Sequence, residues 1–89
     1  MRYLIVLEQT PTGFAVQVPD LAIITAGDGV ESAKLAAVEA IQANLEAYED
    51  AGKHPPARRS VAEHLNNPDF DGLLFTFVEV KTRKDMAAA

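Results

Sequence analysis

The sequence predicts an α+β fold, in which a small, mainly antiparallel sheet carries one long helix on one face in the order β-β-β-α-(short α)-β. An apolar hairpin opens the chain, an alanine-rich stretch of helical period follows Gly29, and an apolar strand follows a proline-containing linker. A chain of 89 residues has the length of one domain. We place that domain at residues 1–80 and expect residues 81–89 to be a disordered tail.

The first three strands are indicated by their composition and by the turns between them. Residues 2–8 (RYLIVLE) are rich in β-branched and aromatic side chains, and residues 14–18 (FAVQV) alternate between two faces. Gly13 tolerates the positive φ that the hairpin turn needs. Pro19 cannot donate a ladder hydrogen bond and ends the second strand. Residues 22–26 (AIITA) then form a short third strand.

The long helix is predicted to begin at Val30, where apolar residues start to recur at steps of three and four. These positions are Val30, Ala33, Ala37, Ile41, Leu45 and Tyr48. Gly52 and the Pro55-Pro56 pair end this helix.

The second half of the chain supplies a short helix and the last strand. Ser60 and Glu63 fit a capping box, which predicts one or two helical turns over residues 61–66. Residues 73–80 (LLFTFVEV) are the most strand-like segment of the chain.

The Gly27-Asp28-Gly29 turn before the long helix does not match a phosphate-binding loop. The dinucleotide fingerprint requires a third glycine where Ser32 stands, and the Gly-Lys-Ser/Thr of the P-loop is missing. Gly29 instead occupies the N-cap position, and Glu31 suits the positive end of the helix dipole. The turn is therefore predicted to be architectural.

The first and last strands are apolar on both faces. The last strand has Leu73, Phe75 and Phe77 on one face and Leu74, Val78 and Val80 on the other. One long helix covers only one face of such a sheet, and the short helix covers part of the second. We therefore expect exposed apolar sheet surface or a free sheet edge, which usually marks a protein interface, and a homodimer or higher homo-oligomer.

Negative charge is concentrated in the first part of the chain. The net charge is −5, and residues 1–54 carry eight acidic against three basic side chains. Such a body attracts basic partners and repels nucleic acid, while Arg58-Arg59 and Lys81-Arg83-Lys84 are interpreted as solvated surface charge. The predicted partner-binding residues are Glu8, Asp20, Glu46, Glu49, Phe75 and Phe77.

No side-chain pattern predicts a catalytic, cofactor or metal site. There is no cysteine, and His54 and His64 are too far apart for one helical metal face. A weak metal-dependent nuclease stays open as an alternative, with carboxylates at Glu8, Asp20, Asp28 and Glu79. The apolar run within the first ten residues is too short for a signal peptide or a membrane span, so we expect a cytoplasmic protein without membrane contact.

The order of short motifs resembles the HicB-like antitoxins over roughly residues 2–52. The matching positions are Tyr3, Glu8, Gly13, Phe14, Pro19, Asp20, Leu21, Gly27, Asp28, Glu31 and Ala33. Ala22-Ile23-Ile24 replaces the Pro-Gly-Cys that usually follows Pro-Asp-Leu in that family. Gly29 stands where a threonine or serine is expected.

This resemblance implies a partial RNase H-like fold that lacks the nuclease's active site. It also implies a partner, a HicA-type toxin, which is a small basic protein that cleaves messenger RNA and whose catalytic histidine the antitoxin masks. The chain ends nine residues after Val80, too few for a DNA-binding segment, so we expect no direct operator binding. A stand-alone oligomeric sensor that binds a small ligand between protomers stays open as the alternative function.

Overall fold

The computed structural model describes residues 1–82 and shows a four-stranded antiparallel sheet with one long helix on one face. The elements are β1 (Arg2–Thr10), β2 (Gly13–Val18), β3 (Ile23–Gly27), α1 (Val30–Asp50), α2 (Val61–Leu65) and β4 (Leu74–Glu79). The strand order is β3-β2-β1-β4, so β1 is central and β3 and β4 are the edges. The predicted α+β architecture is confirmed. Most of the tail predicted at residues 81–89, from residue 83 onward, lies outside the described residues.

The third strand begins one residue later than predicted. Residues 19–21 (PDL) form a single 3₁₀ turn, and Ala22 ends it in the left-handed region at φ 54°. A left-handed residue cannot continue an extended strand, so β3 begins at Ile23. The turn follows the end of β2 and contacts β1, so it brings Asp20 beside the first residues of β1.

The core lies between α1 and one face of the sheet. It contains Tyr3, Ile5 and Leu7 of β1, Val16 and Val18 of β2, Leu21, Val78 and Val80, and Ala33, Ala37, Ile41 and Leu45 of α1. The helix contributes alanine near β3 and larger side chains further along its length. Small side chains let a helix approach a sheet closely, which explains why its first half packs on β2 and β3.

The start of α1 depends on two glycines with different roles. Gly29 is the N-cap, as predicted, and its N–H donates to Ser32 Oγ at 2.9 Å. Gly27 lies against the first turn of α1, where an added Cβ would come within 2.6 Å of Ala33 Cα. The turn thus allows α1 to pack closely on the sheet, in agreement with the architectural role that the sequence predicts.

The chain after α1 crosses the second face of the sheet, the face opposite α1. Arg58 donates to the carbonyl oxygen of Arg2 at 2.9 Å, and Phe70 meets Phe75 edge-on at a centroid distance of 6.3 Å. Helix α2 is confirmed, although its predicted capping box shows one bond, from Glu63 N–H to Ser60 Oγ at 3.3 Å. This segment covers only part of the second face.

Candidate partner-binding surface

Strand β4 presents a free edge of the sheet. Within residues 1–82, β4 pairs with β1 alone, so its outer N–H and C=O groups face away from the sheet. Two large apolar side chains of this strand are exposed, Leu74 (58%) and Phe77 (38%). We call β4 with these two side chains the β4 edge. It combines unpaired backbone with apolar surface, the combination that binds extended segments of partner proteins.

Phe75 and Phe77 lie on the second face, because they pair with Val6 and Leu4 across the ladder. Phe75 is half-buried and occupied by its contact with Phe70. Phe77 is more open, and the guanidinium carbon of Arg2 lies 4.3 Å from its ring centroid. Of the two predicted aromatic contacts, Phe77 therefore offers more surface to a partner.

Glu46 and Glu49 lie in the second half of α1, near the end of β4. Gln42, one turn before Glu46, donates from Nε2 to the carbonyl oxygen of Lys81 at 3.0 Å. Glu49 lines a depression together with Met1 and Thr82. The helix layer thus brings Glu49 next to the residues that follow β4, in the layer opposite Phe77.

Glu8 is exposed near the far end of β1 and pairs with Ala15 of β2. Strand alternation places it on the second face, one diagonal step from Phe75. The predicted residues Glu8, Phe75 and Phe77 therefore share one face of the sheet, whereas Glu46 and Glu49 belong to the opposite layer.

Asp20 presents almost no surface to a partner, since its side chain is 2% exposed. Its Oδ1 accepts from His64 Nε2 at 2.8 Å and from the Arg59 N–H at 3.0 Å. The carboxylate thereby ties the segment after α1 to the sheet. His64 was missed as the partner of Asp20, because 44 residues separate the two and no local pattern links them.

The carboxylates of the nuclease alternative are spread over the sheet. Glu8 lies near the end of β1, whereas Glu79 is on β4 and lies opposite Arg2 at the start of β1. The Glu79 carboxylate pairs with the amino terminus at 3.1 Å. In the described residues, no three His, Cys, Asp or Glu side chains are close enough to hold a metal ion. His54 is exposed and His64 is buried against Asp20.

Tyr3, on the central strand, is a titratable group with a perturbed pKa. Burial raises the pKa of Tyr3, because the phenolate would lose its hydration; Arg58 partly opposes this rise and Asp20 adds to it. The ring lies at the start of the central strand and beneath Arg58, with 5.7 Å between the guanidinium carbon and the ring centroid. No helix within residues 1–82 is long and apolar enough to cross a membrane.

Comparison with known proteins gives consistent matches. A family model described as "HicB_like antitoxin of bacterial toxin-antitoxin system" matches residues 3–88. An uncharacterised 14.9 kDa protein of Haemophilus phage HP1 is 31% identical over 81 residues, which cover 90% of this chain and 61% of that protein.

Solved structures with the same fold include the Burkholderia pseudomallei antitoxin HicB, with a TM-score of 0.81 at 23% identity over 91% of this chain and 64% of that one. A second is a HicA3 and HicB3 toxin–antitoxin complex, whose matching chain has a TM-score of 0.75 at 26% identity over 91% of this chain and 99% of that one. The chain thus spans less than two thirds of the phage protein and of the Burkholderia antitoxin.

Proposed function

The chain belongs to the HicB-like antitoxin family, and from this membership we propose that it is a non-catalytic antitoxin of a type II toxin–antitoxin system. In this proposal it binds and neutralises a HicA-type toxin that cleaves messenger RNA, and it acts in the cytoplasm. The family match over residues 3–88 carries the proposal. The likeness to a chain of the HicA3–HicB3 complex supports it. We also propose that the sheet with its helix is a partial RNase H-like fold.

We propose that the β4 edge is the docking surface for the toxin. Exposed Leu74 and Phe77 would supply apolar contact, and unpaired backbone groups of β4 would accept an added strand. Glu46 and Glu49 would steer a basic partner toward the edge, and Glu8 and Phe75 would border the contact on the second face. Asp20 would act indirectly, by holding residues 59–64 in place.

The decisive experiment is co-expression with the product of the adjacent gene. We expect that product to be a small basic ribonuclease that stops growth, and we expect this protein to restore growth and to copurify with it. The purified antitoxin should itself cleave no RNA with Mg²⁺ or Mn²⁺ added. A toxic product that is neither bound nor neutralised would overturn the proposal.

Phe77→Ala tests the docking surface with little risk to the fold, because the side chain is 38% exposed. We expect dissociation of the complex to be at least tenfold faster, as for an aromatic residue at an interface centre. Leu35→Ala is the matched control, since Leu35 is an exposed apolar residue (59%) on α1. Equal effects of the two variants would exclude the β4 edge as the docking surface.

The steering role of α1 is tested by the salt dependence of association. Exposed charges are screened beyond about 8 Å at physiological ionic strength, so the association rate should fall as salt rises. Glu49→Lys should slow association more than Asp28→Lys, which makes the same charge change at the other end of the helix. Equal slowing would show that the net charge acts rather than the position next to β4.

A further inference from the structure

Three arginines surround one depression on the second face of the sheet. This depression has a volume of about 460 Å³ and is lined by Arg2, Leu4, Asp20, Arg58, Arg59, Val61 and Phe77. Its volume is in the range of small-molecule sites. The arginines come from β1 and from the segment before α2, which are brought together only when that segment crosses the sheet.

The structure holds these arginines in place. Arg58 donates from a terminal guanidinium nitrogen to the carbonyl oxygen of Arg2 at 2.9 Å. The guanidinium of Arg2 lies over the Phe77 ring at 4.3 Å. Arg59 is anchored through its backbone N–H to Asp20 and keeps a side chain that is 60% exposed. The guanidiniums of Arg2 and Arg58, which these contacts hold, lose little further side-chain entropy when an anion binds.

The positive charge of the depression exceeds the negative charge around it. Asp20 is the one carboxylate among its lining residues, and its Oδ1 is 4.0 Å from Arg59 Nε. Glu79 lies opposite Arg2 in the ladder, but its carboxylate pairs with the amino terminus at 3.1 Å. Three cations around one buried anion repel each other, in a chain whose net charge is −5. An added anion would relieve this repulsion.

We propose that the depression binds a small organic oxyanion, a carboxylate or a phosphate monoester on a flat apolar body. The guanidinium forks match the geometry of both oxyanions. Leu4, Val61 and Phe77 provide the apolar wall against which the body packs. A long nucleic-acid strand fits less well, because the acidic remainder of the chain repels a polyanion. This site adjoins the proposed toxin contact and shares Phe77 with it, whereas its three arginines lie outside the β4 edge.

Amide chemical shifts of the whole protein, titrated with simple probes, test this assignment. Phenyl phosphate and phenylacetate should give saturable shifts at the Arg59 and Val61 amides. Inorganic phosphate should bind more weakly because it lacks the apolar body, and neutral benzyl alcohol should give no saturable shift. A 12-nucleotide single-stranded RNA serves as the polyanion probe. Tighter binding of the RNA than of phenyl phosphate, or equal binding of benzyl alcohol, would overturn the proposal.

Variants locate the site. Arg59→Gln and Arg2→Gln should each weaken phenyl phosphate binding by about tenfold, the loss expected for one charge-assisted hydrogen bond. Arg58→Lys should weaken it less, because the charge stays while the fork is lost. Lys34→Gln on α1 is the matched charge control and should leave binding unchanged. If Lys34→Gln has the same effect as Arg59→Gln, binding follows net charge and the site is refuted. Toxin binding is measured separately, so either proposal can fail alone.

Discussion

Asp20→Ala should destabilise the fold through the two donors that it leaves without an acceptor. His64 Nε2 lies 2.8 Å and the Arg59 N–H lies 3.0 Å from Asp20 Oδ1, and the His64 side chain is 3% exposed. A buried donor without a partner costs about 1–3 kcal/mol. The Arg59 N–H is only partly buried and can bind water, so it contributes the smaller share. We expect a total loss of about 3 kcal/mol.

This loss is large for a chain of 89 residues, whose free energy of unfolding should be about 4–13 kcal/mol. Urea unfolding followed by circular dichroism measures it. With a denaturant slope of about 1.5 kcal/mol per molar, the midpoint should fall by about 2 M. Hydrogen exchange should show that the Arg59 amide loses its protection before the amides of β1 do, because the carboxylate anchors the segment that crosses the second face.

Two matched variants make the test specific. Asp28→Ala removes an exposed carboxylate and should change the free energy of unfolding by less than about 0.5 kcal/mol. Asp20→Asn keeps an acceptor oxygen without the charge, so its loss of free energy of unfolding should lie between those of Asp20→Ala and Asp28→Ala. If Asp20→Ala and Asp28→Ala lower the midpoint equally, the Asp20 carboxylate does not stabilise the segment and the reasoning is refuted.

Three further predictions concern packing, pH and assembly. Gly27→Ala should cost about 2 kcal/mol in urea unfolding, because its Cβ would meet backbone atoms of Ala33, whereas Gly29→Ala, where a Cβ meets nothing within 4 Å, should cost far less. Burial raises the pKa of Tyr3 above the value of about 10 in the unfolded chain. The contribution of the Tyr3 hydroxyl to the free energy of unfolding is therefore complete below about pH 10 and is lost as pH rises through the folded pKa. Above about pH 10, the free energy of unfolding of Tyr3→Phe should therefore fall less steeply with pH than that of the parent chain. An identical dependence on pH would contradict this. Light scattering across a concentration series should show the dimer or larger species that the sequence predicts, and a monomer at every concentration would contradict that prediction.

The sequence alone determined the order and type of the elements. Alternation in residues 2–8 and 14–18 and the helical period from Val30 are local patterns, and the structure confirms the strands and the helix that they predict. The N-cap at Gly29 could be predicted for the same reason, since capping involves neighbours three or four positions apart. The excess of apolar residues on β1 and β4 also predicted that one helix would not cover the sheet, and Leu74 and Phe77 remain exposed.

Only the tertiary structure decided which side chains meet across the second face. The sequence showed Asp20 as an acidic turn residue and Arg58-Arg59 as surface charge, because neither pattern carries information about contacts tens of residues away. The segment after α1 turns back over the sheet, buries Asp20 against His64 and brings Arg58 and Arg59 beside Arg2. The same strand order leaves β4 at an edge. Such contacts join residues that are far apart in sequence, and they depend on the path that the chain takes over the sheet. Local periodicity carries no information about that path.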